Sequence, residues 1–253
     1  MMRRGLSTAI PVLLAVLCAG AQTPEQLFQQ GNSYYQQSNF NAAIERYESV
    51  LKTGLTSGEL YFNLGNAYYK QGDMGHAILC YERAMRLLPM DDDLRHNLQL
   101  ANLLIVDRIE ETPRLFIWDT WDSIKGWFSL AGITWTSYVL LLLAAGAVVI
   151  VILARSYALR KVGIIATLVL GVFLVASAVI LFDKARDADR TDEAIVLAPI
   201  TTVKNSPDAK SSDAFVLHAG VKVRITDSVN EWVKIRLADG KVGWMERNAA
   251  EQI

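Results

Sequence analysis

The chain reads GNSYYQQSNFNAAIERYE at residues 31–48 and GNAYYKQGDMGHAILCYE at residues 65–82. The two stretches align at a shift of 34 residues, and the match extends upstream, where Phe28 aligns with Phe62. A fixed period of this length with helical spacing of apolar residues is typical of helix–turn–helix arrays. Gly31 and Gly65 would let the first helix of each unit approach the second helix closely.

These matched residues resemble the tetratricopeptide repeat, present twice and closed by Pro89. The resemblance implies an all-α domain whose first helices line a groove for extended peptides. Asparagine can pair with a peptide backbone as both donor and acceptor. The alternative for each groove position is packing or solvation. Mapped onto this sequence, the peptide-binding groove comprises Phe28, Asn32, Tyr35, Phe62, Asn63, Asn66, Tyr69, His96 and Asn97.

One variant of this repeat family clamps a C-terminal carboxylate with lysines in the groove. Phe28 stands at one of those lysine positions, so we expect no ligand of that kind here. Repeat arrays also need a terminal cap. The run Asp91–Asp93 predicts the start of a capping helix that extends to about Glu110, since acidic residues suit a helix N-terminus. We interpret the aspartates as cap and first turn rather than as a cation site. The repeat domain is predicted to span residues 22–111.

Two apolar blocks without charged residues follow, at residues 138–154 and 162–182. About 20 such residues cross a bilayer core, so transmembrane helices are predicted at residues 137–155 and 162–182. The connecting loop, residues 156–161, carries Arg160 and Lys161 and follows Arg155. Short basic loops stay in the cytoplasm. Both soluble regions are therefore expected in the periplasm, on either side of an inner-membrane hairpin.

Residues 1–21 combine two arginines, a short apolar core and small residues at Ala19 and Ala21. This pattern is typical of a signal peptide cleaved after Ala21. An uncleaved anchor, or lipidation at Cys18, is the alternative. Residues 112–136 are rich in tryptophan and phenylalanine, which prefer the headgroup region. We interpret them as an amphipathic pre-membrane segment, with a packed linker helix as the alternative.

After a linker at residues 183–193, the segment 194–253 changes to short β-branched runs separated by turn residues. Such spacing predicts a small all-β barrel, and Asp239-Gly240 indicates a hairpin. The order of Leu217-His218-Ala219-Gly220, Glu231–Ile235 and Asp239–Trp244 resembles a bacterial SH3 domain. That resemblance implies binding of peptide or peptidoglycan in the cell envelope. Trp232 and Trp244 are the candidate binding surface, or alternatively part of the core.

The composition argues against several other classes. Hydrophobic residues make up 52% and charged residues 20% of 253 residues, which excludes an intrinsically disordered chain. The net charge of −1 recruits no nucleic acid. The three histidines are far apart, and no phosphate loop or nucleophile elbow is present. We therefore predict no catalytic residue, no metal and no cofactor.

The whole arrangement is that of a multidomain membrane protein, with repeats, a transmembrane hairpin and an SH3-like domain in this order. It resembles the BatE-like family of aerotolerance-operon proteins. The resemblance implies protein partners among membrane proteins with von Willebrand A-type domains, in an envelope or oxidative-stress complex. The predicted function is a non-enzymatic inner-membrane scaffold, with a peptidoglycan-binding anchor as the alternative.

Overall fold

The structure is a computed structural model that describes residues 22–109, 116–188 and 192–253. The predicted signal peptide lies outside the described residues. The chain forms two compact units. The first is helical and ends at Ile105, and the second contains Val106–Ile253 together with the short stretch Pro89–Asp91.

The first unit is an all-α repeat domain, as predicted. Each pair of helices packs side by side, and the fifth helix packs against the fourth. Its core includes Leu27, Ala43, Tyr47 and Leu64. The helices are α1 (Pro24–Gln36), α2 (Phe40–Lys52), α3 (Gly58–Gln71), α4 (Met74–Leu87) and α5 (Asp92–Leu104).

Side-chain caps fix the start of the helices. Thr23 and Gln26 form a reciprocal capping box before α1, with hydrogen bonds of 3.0 and 3.2 Å between each side chain and the other residue's main-chain N–H. Asn39, Ser57 and Asp73 accept a main-chain N–H at the starts of α2, α3 and α4. Such caps satisfy donors that the helix itself leaves unpaired.

The two helices of each repeat approach each other closely at the aligned glycines, Gly31 and Gly65. A Cβ at Gly31 would stand 2.5 Å from Cε1 of Tyr47, and one at Gly65 would stand 2.7 Å from Cδ1 of Tyr81. Both tyrosine side chains are buried, each 1% exposed. The predicted close approach at Gly31 and Gly65 is confirmed.

The capping helix is shorter than predicted. It ends at Leu104, and residues 105–109 leave the helical path, whereas the sequence suggested a helix to about Glu110. The helix ends early because of contacts with residues distant in sequence. Asp107 and Ile109 make contacts with the β-sheet domain that a continued helix would not allow.

The second unit contains two long apolar helices, α7 (Leu130–Leu153) and α8 (Tyr157–Ala188), which pack against each other as a hairpin. Both are long and apolar enough to cross a membrane. Only 6% of the most apolar window of each helix is buried, whereas a core helix of a soluble protein would be mostly covered. The pair therefore fits a membrane protein.

Three polar contacts link the helices of the hairpin to each other and to the helix before them. Inside the hairpin, Ser137 Oγ donates to Ser177 Oγ at 3.1 Å, and Ser177 is buried. The preceding helix, α6 (Phe116–Gly126), is tied to the end of α8 because Trp121 Nε1 donates to Asp183 Oδ2 at 2.9 Å. Lys125 Nζ lies 3.5 Å from the same carboxylate oxygen. Helix α6, which precedes α7, thus contacts the last turns of α8 at one end of the hairpin.

The remaining residues form a seven-stranded antiparallel sheet in the order β3-β2-β6-β5-β4-β1-β7. Its strands are β1 (Glu193–Val196), β2 (Ile200–Lys204), β3 (Asp213–His218), β4 (Lys222–Val229), β5 (Trp232–Arg236), β6 (Val242–Glu246) and β7 (Ala250–Gln252), with a 3-10 turn at Arg247–Ala249.

The predicted small all-β SH3-like fold is confirmed, but the sheet of residues 192–253 does not close into a barrel. The sheet has two edges, β3 and β7, and no pairing joins them within the described residues. β7 has three residues, all of which pair with β1. The predicted hairpin between β5 and β6 is confirmed, with Gly240 at a φ of +91°.

The sheet buries one face. Val203, Ile235 and Met245 are fully covered in the core of this domain. Gly243 lies where a Cβ would come within 3.0 Å of the main-chain oxygen of Lys204, so β2 and β6 approach closely there.

Candidate functional site

The repeat domain carries a groove formed by two adjoining depressions of about 170 and 330 Å³. Tyr35 and Asn66 line both of them, so the two depressions form one continuous surface. The smaller one is also lined by Asn32, Gln36, Tyr47 and Asn63, and the larger one by Tyr69, Lys70, Tyr81, Asn97 and Leu100. We call this surface the groove.

The same hydrogen-bond pattern occurs twice along the groove. In the first repeat, Asn32 Oδ1 accepts from Tyr47 Oη at 2.7 Å and from Asn63 Nδ2 at 3.2 Å. In the second repeat, Asn66 Oδ1 accepts from Tyr81 Oη at 2.8 Å and from Asn97 Nδ2 at 2.9 Å. Asn32 thus links the first repeat to the second, and Asn66 links the second repeat to the capping helix α5.

This pattern fixes which atoms the groove offers to a ligand. A carbonyl oxygen has two lone pairs, and in Asn32 and Asn66 both are engaged. Their amide Nδ2 groups have no hydrogen-bond partner in the part of the chain that the structure describes. The groove therefore presents two amide donors, suited to the carbonyl oxygens of an extended chain.

The tyrosines that orient these asparagines stay protonated. Burial, with a smaller effect of the nearby Tyr35, raises the pKa of Tyr47 to about 12. Burial also raises the pKa of Tyr81. At neutral pH each hydroxyl is therefore a fixed hydrogen-bond donor to the asparagine oxygen.

The nine predicted groove residues divide into two sets. Six line the groove, namely Asn32, Tyr35, Asn63, Asn66, Tyr69 and Asn97. Phe28 and Phe62 instead pack beside the buried tyrosines, with ring centroids 5.8 Å from Tyr47 and 6.1 Å from Tyr81. His96 is exposed and lines neither depression.

Sequence reasoning missed two polar residues in the groove, Gln36 and Lys70. Each lies four positions after a groove asparagine, Asn32 and Asn66 respectively. Residues four apart on a helix share a face, so this spacing was the available signal. Lys70 places a positive charge at the larger depression.

The two candidate tryptophans of the sheet domain lie opposite its core. Trp232 and Trp244 are half-buried, and each alternates along its strand with the buried Val233 or Met245. Lys234 Nζ lies 5.8 Å from the centroid of the Trp244 ring, a cation–π distance. This outer face combines aromatic rings with positive charge.

The described residues hold no group of three or more potential metal ligands among histidine, cysteine, aspartate and glutamate. Cys80 is buried in α4. His76 lies 2.8 Å from Asp73, the residue that caps α4. That pair is explained by the capping of a helix.

Comparison with known protein families agrees with both soluble domains. The description "TPR repeat" matches residues 31–72, and "Tetratricopeptide repeat" matches residues 58–91. "Bacterial SH3 domain" matches residues 201–249. The chain thus carries two kinds of domain that typically bind other molecules rather than catalyse reactions. No curated protein matches the chain at a significant level.

Proposed function

We propose that this protein is a non-enzymatic scaffold of the inner membrane, which holds an extended segment of a protein partner in the groove. The observation that carries the proposal is the pair of amide donors on Asn32 and Asn66, oriented by bonds to their own oxygens. Tyr35 and Tyr69 add contact area beside them. Such a surface pairs with a peptide backbone and reads little of its sequence.

The location and setting are part of the same proposal. The basic residues between the apolar helices favour a cytoplasmic loop, and we therefore propose that the groove and the SH3-like domain lie in the periplasm. The order of domains resembles BatE-like proteins. We therefore propose partners among membrane proteins with von Willebrand A-type domains, in an aerotolerance or other envelope-stress complex.

Asn66→Asp tests the groove while sparing the fold. A carboxylate still accepts hydrogen bonds from Tyr81 and Asn97, but its second oxygen replaces the amide donor that faces the groove. A ligand carbonyl would then meet an acceptor instead of a donor. We expect the recovery of crosslinked partner from cells expressing the full chain to fall roughly tenfold or more.

Asn41→Asp is the matched control. Asn41 Oδ1 also accepts a hydrogen bond, from Gln71 Nε2 at 2.6 Å, but it does not line the groove. This variant should recover the partner as well as the wild type does. Equal recovery by Asn66→Asp and the wild type would refute the assignment of the groove.

The second candidate function is a peptidoglycan anchor that acts through the SH3-like domain. The outer face with Trp232, Trp244 and Lys234 favours it, because aromatic rings stack on sugars and the lysine attracts carboxylates. The full chain in detergent should co-sediment with purified sacculi, and Trp244→Ala should reduce the pelleted fraction. No pelleting above that of a control membrane protein would exclude this function.

A further inference from the structure

The segment that follows α5 contacts the SH3-like domain, and both belong to the second compact unit. The main-chain N–H of His218 donates to Asp107 Oδ2 at 2.6 Å. The Nδ1 atom of the same histidine lies 3.0 Å from Asp107 Oδ1. One carboxylate is thus held at both oxygens by a single residue 111 positions away in the chain.

The place of His218 explains why a carboxylate fits there. His218 is the last residue of β3, and β3 is an edge strand. Edge strands present main-chain donors with no neighbouring strand to satisfy them. A carboxylate that accepts such an N–H makes a charge-assisted hydrogen bond, which is stronger than one between neutral groups.

A second contact anchors the same segment through apolar packing. Ile109, two residues after Asp107, packs against the core cluster of the SH3-like domain. Asp107 is 18% exposed in this position. Arg108, between them, is exposed to solvent. The bound pattern is therefore an acid, any residue, and an aliphatic residue.

We propose that this edge of the SH3-like domain is a recognition site for a segment with the pattern acid–x–aliphatic, and that Asp107–Ile109 occupies it within the same chain. A partner protein with this pattern would bind only where the chain's own segment has left. The site is separate from the groove and from the tryptophan face, so it does not depend on either proposed function.

A competition experiment on the full chain in nanodiscs tests the site. The probe is a labelled synthetic peptide of residues 105–112. We expect the Asp107→Ala protein to bind this peptide at least tenfold more tightly than the wild type does, because the variant's own segment no longer fills the site. A peptide with alanine in place of its aspartate should not bind. Failure of the Asp107→Ala protein to bind the probe, or equal binding by both proteins, would overturn the proposal.

Hydrogen exchange gives an independent measurement on the same proteins. Loss of the acceptor should speed exchange of the His218 amide about tenfold in Asp107→Ala. Arg108→Ala, the matched control in the same segment, should leave that exchange rate unchanged. Unchanged exchange in Asp107→Ala would also refute the contact on which the site depends.

Trypsin reports on the docked segment without a change at the cleavage site. Cleavage after Arg108 should be slow in the wild type and several-fold faster in His218→Ala, which removes the imidazole contact but no residue near the scissile bond. Equal cleavage rates would mean that His218 does not hold the segment.

Discussion

The close approach of α3 and α4 at Gly65 makes Gly65→Ala the sharpest test of how the repeat domain packs. The new Cβ would stand 2.7 Å from both Cδ1 and Cε1 of Tyr81, about 1 Å inside the usual contact distance of carbon atoms. The ring cannot simply turn aside. It is 1% exposed, and its hydroxyl is held by Asn66 at 2.8 Å.

The free-energy terms can be compared. Overpacking of a core costs about 1–3 kcal/mol, and loss of the hydroxyl bond adds about 1 kcal/mol. Alanine recovers about 1 kcal/mol because it favours the helix more than glycine does. We therefore expect Gly65→Ala to reduce the free energy of unfolding by about 1–3 kcal/mol. For a domain of this size, the melting temperature should fall by roughly 5–20 °C.

The assay is thermal unfolding of residues 22–105, followed by circular dichroism at the helical wavelength. The double variant Gly65→Ala/Tyr81→Val is the control, because valine has no atoms at the δ and ε positions that the new Cβ would meet. The cost of Gly65→Ala should fall below about 1 kcal/mol in that background. An unchanged or higher melting temperature for the single variant would refute the packing argument.

Three further changes test other parts of the structure. Asp73→Ala removes the cap of α4 and should cost about 1 kcal/mol in urea unfolding. The hydrogen bond from His76 lowers the pKa of Asp73, so this contribution is present above the unfolded pKa. The difference between variant and wild type should shrink as the pH falls below about 4, and a constant difference would contradict the assignment. Trp121→Phe removes the bond to Asp183 and should speed hydrogen exchange in α6 roughly fivefold or more; equal exchange would argue against the tie. Gly243→Ala should lower the stability of the SH3-like domain by about 1–3 kcal/mol, measured by tryptophan fluorescence on heating.

The repeat domain was the most predictable part of the fold, because its signals are local. A shift of 34 residues aligns Gly31 with Gly65 and Tyr47 with Tyr81. In the structure Gly31 approaches Tyr47 as closely as Gly65 approaches Tyr81. The two apolar helices were equally accessible, since length and absence of charge suffice to indicate them.

Features that depend on contacts distant in sequence were not predictable. The early end of α5 follows from the docking of Asp107 on His218, and no local pattern predicts a contact across 111 positions. The open edges of the sheet have a similar cause. Strand signals identify the strands, whereas closure depends on whether β3 reaches β7.

The groove was predictable in composition but not in polarity. The repeat pattern selected Asn32 and Asn66, yet an asparagine can act as donor or acceptor. Only the positions of Tyr47 and Tyr81 show that the oxygens are engaged and the amide groups are left for a ligand. The aromatic residues Phe28 and Phe62 follow the same helical face but turn to the tyrosines.

The asparagine links also bear on how such a protein can lengthen. Asn63 of the second repeat donates to the repeat before it, and Asn66 of the same repeat accepts from the helix after it. Each link therefore runs in the same direction along the chain. A duplicated stretch of 34 residues inserted between the two repeats would carry the same asparagines and could form the same hydrogen bonds with the repeat on each side. The length of the binding surface can thus grow by whole copies, while the segments that lead to the membrane stay unchanged.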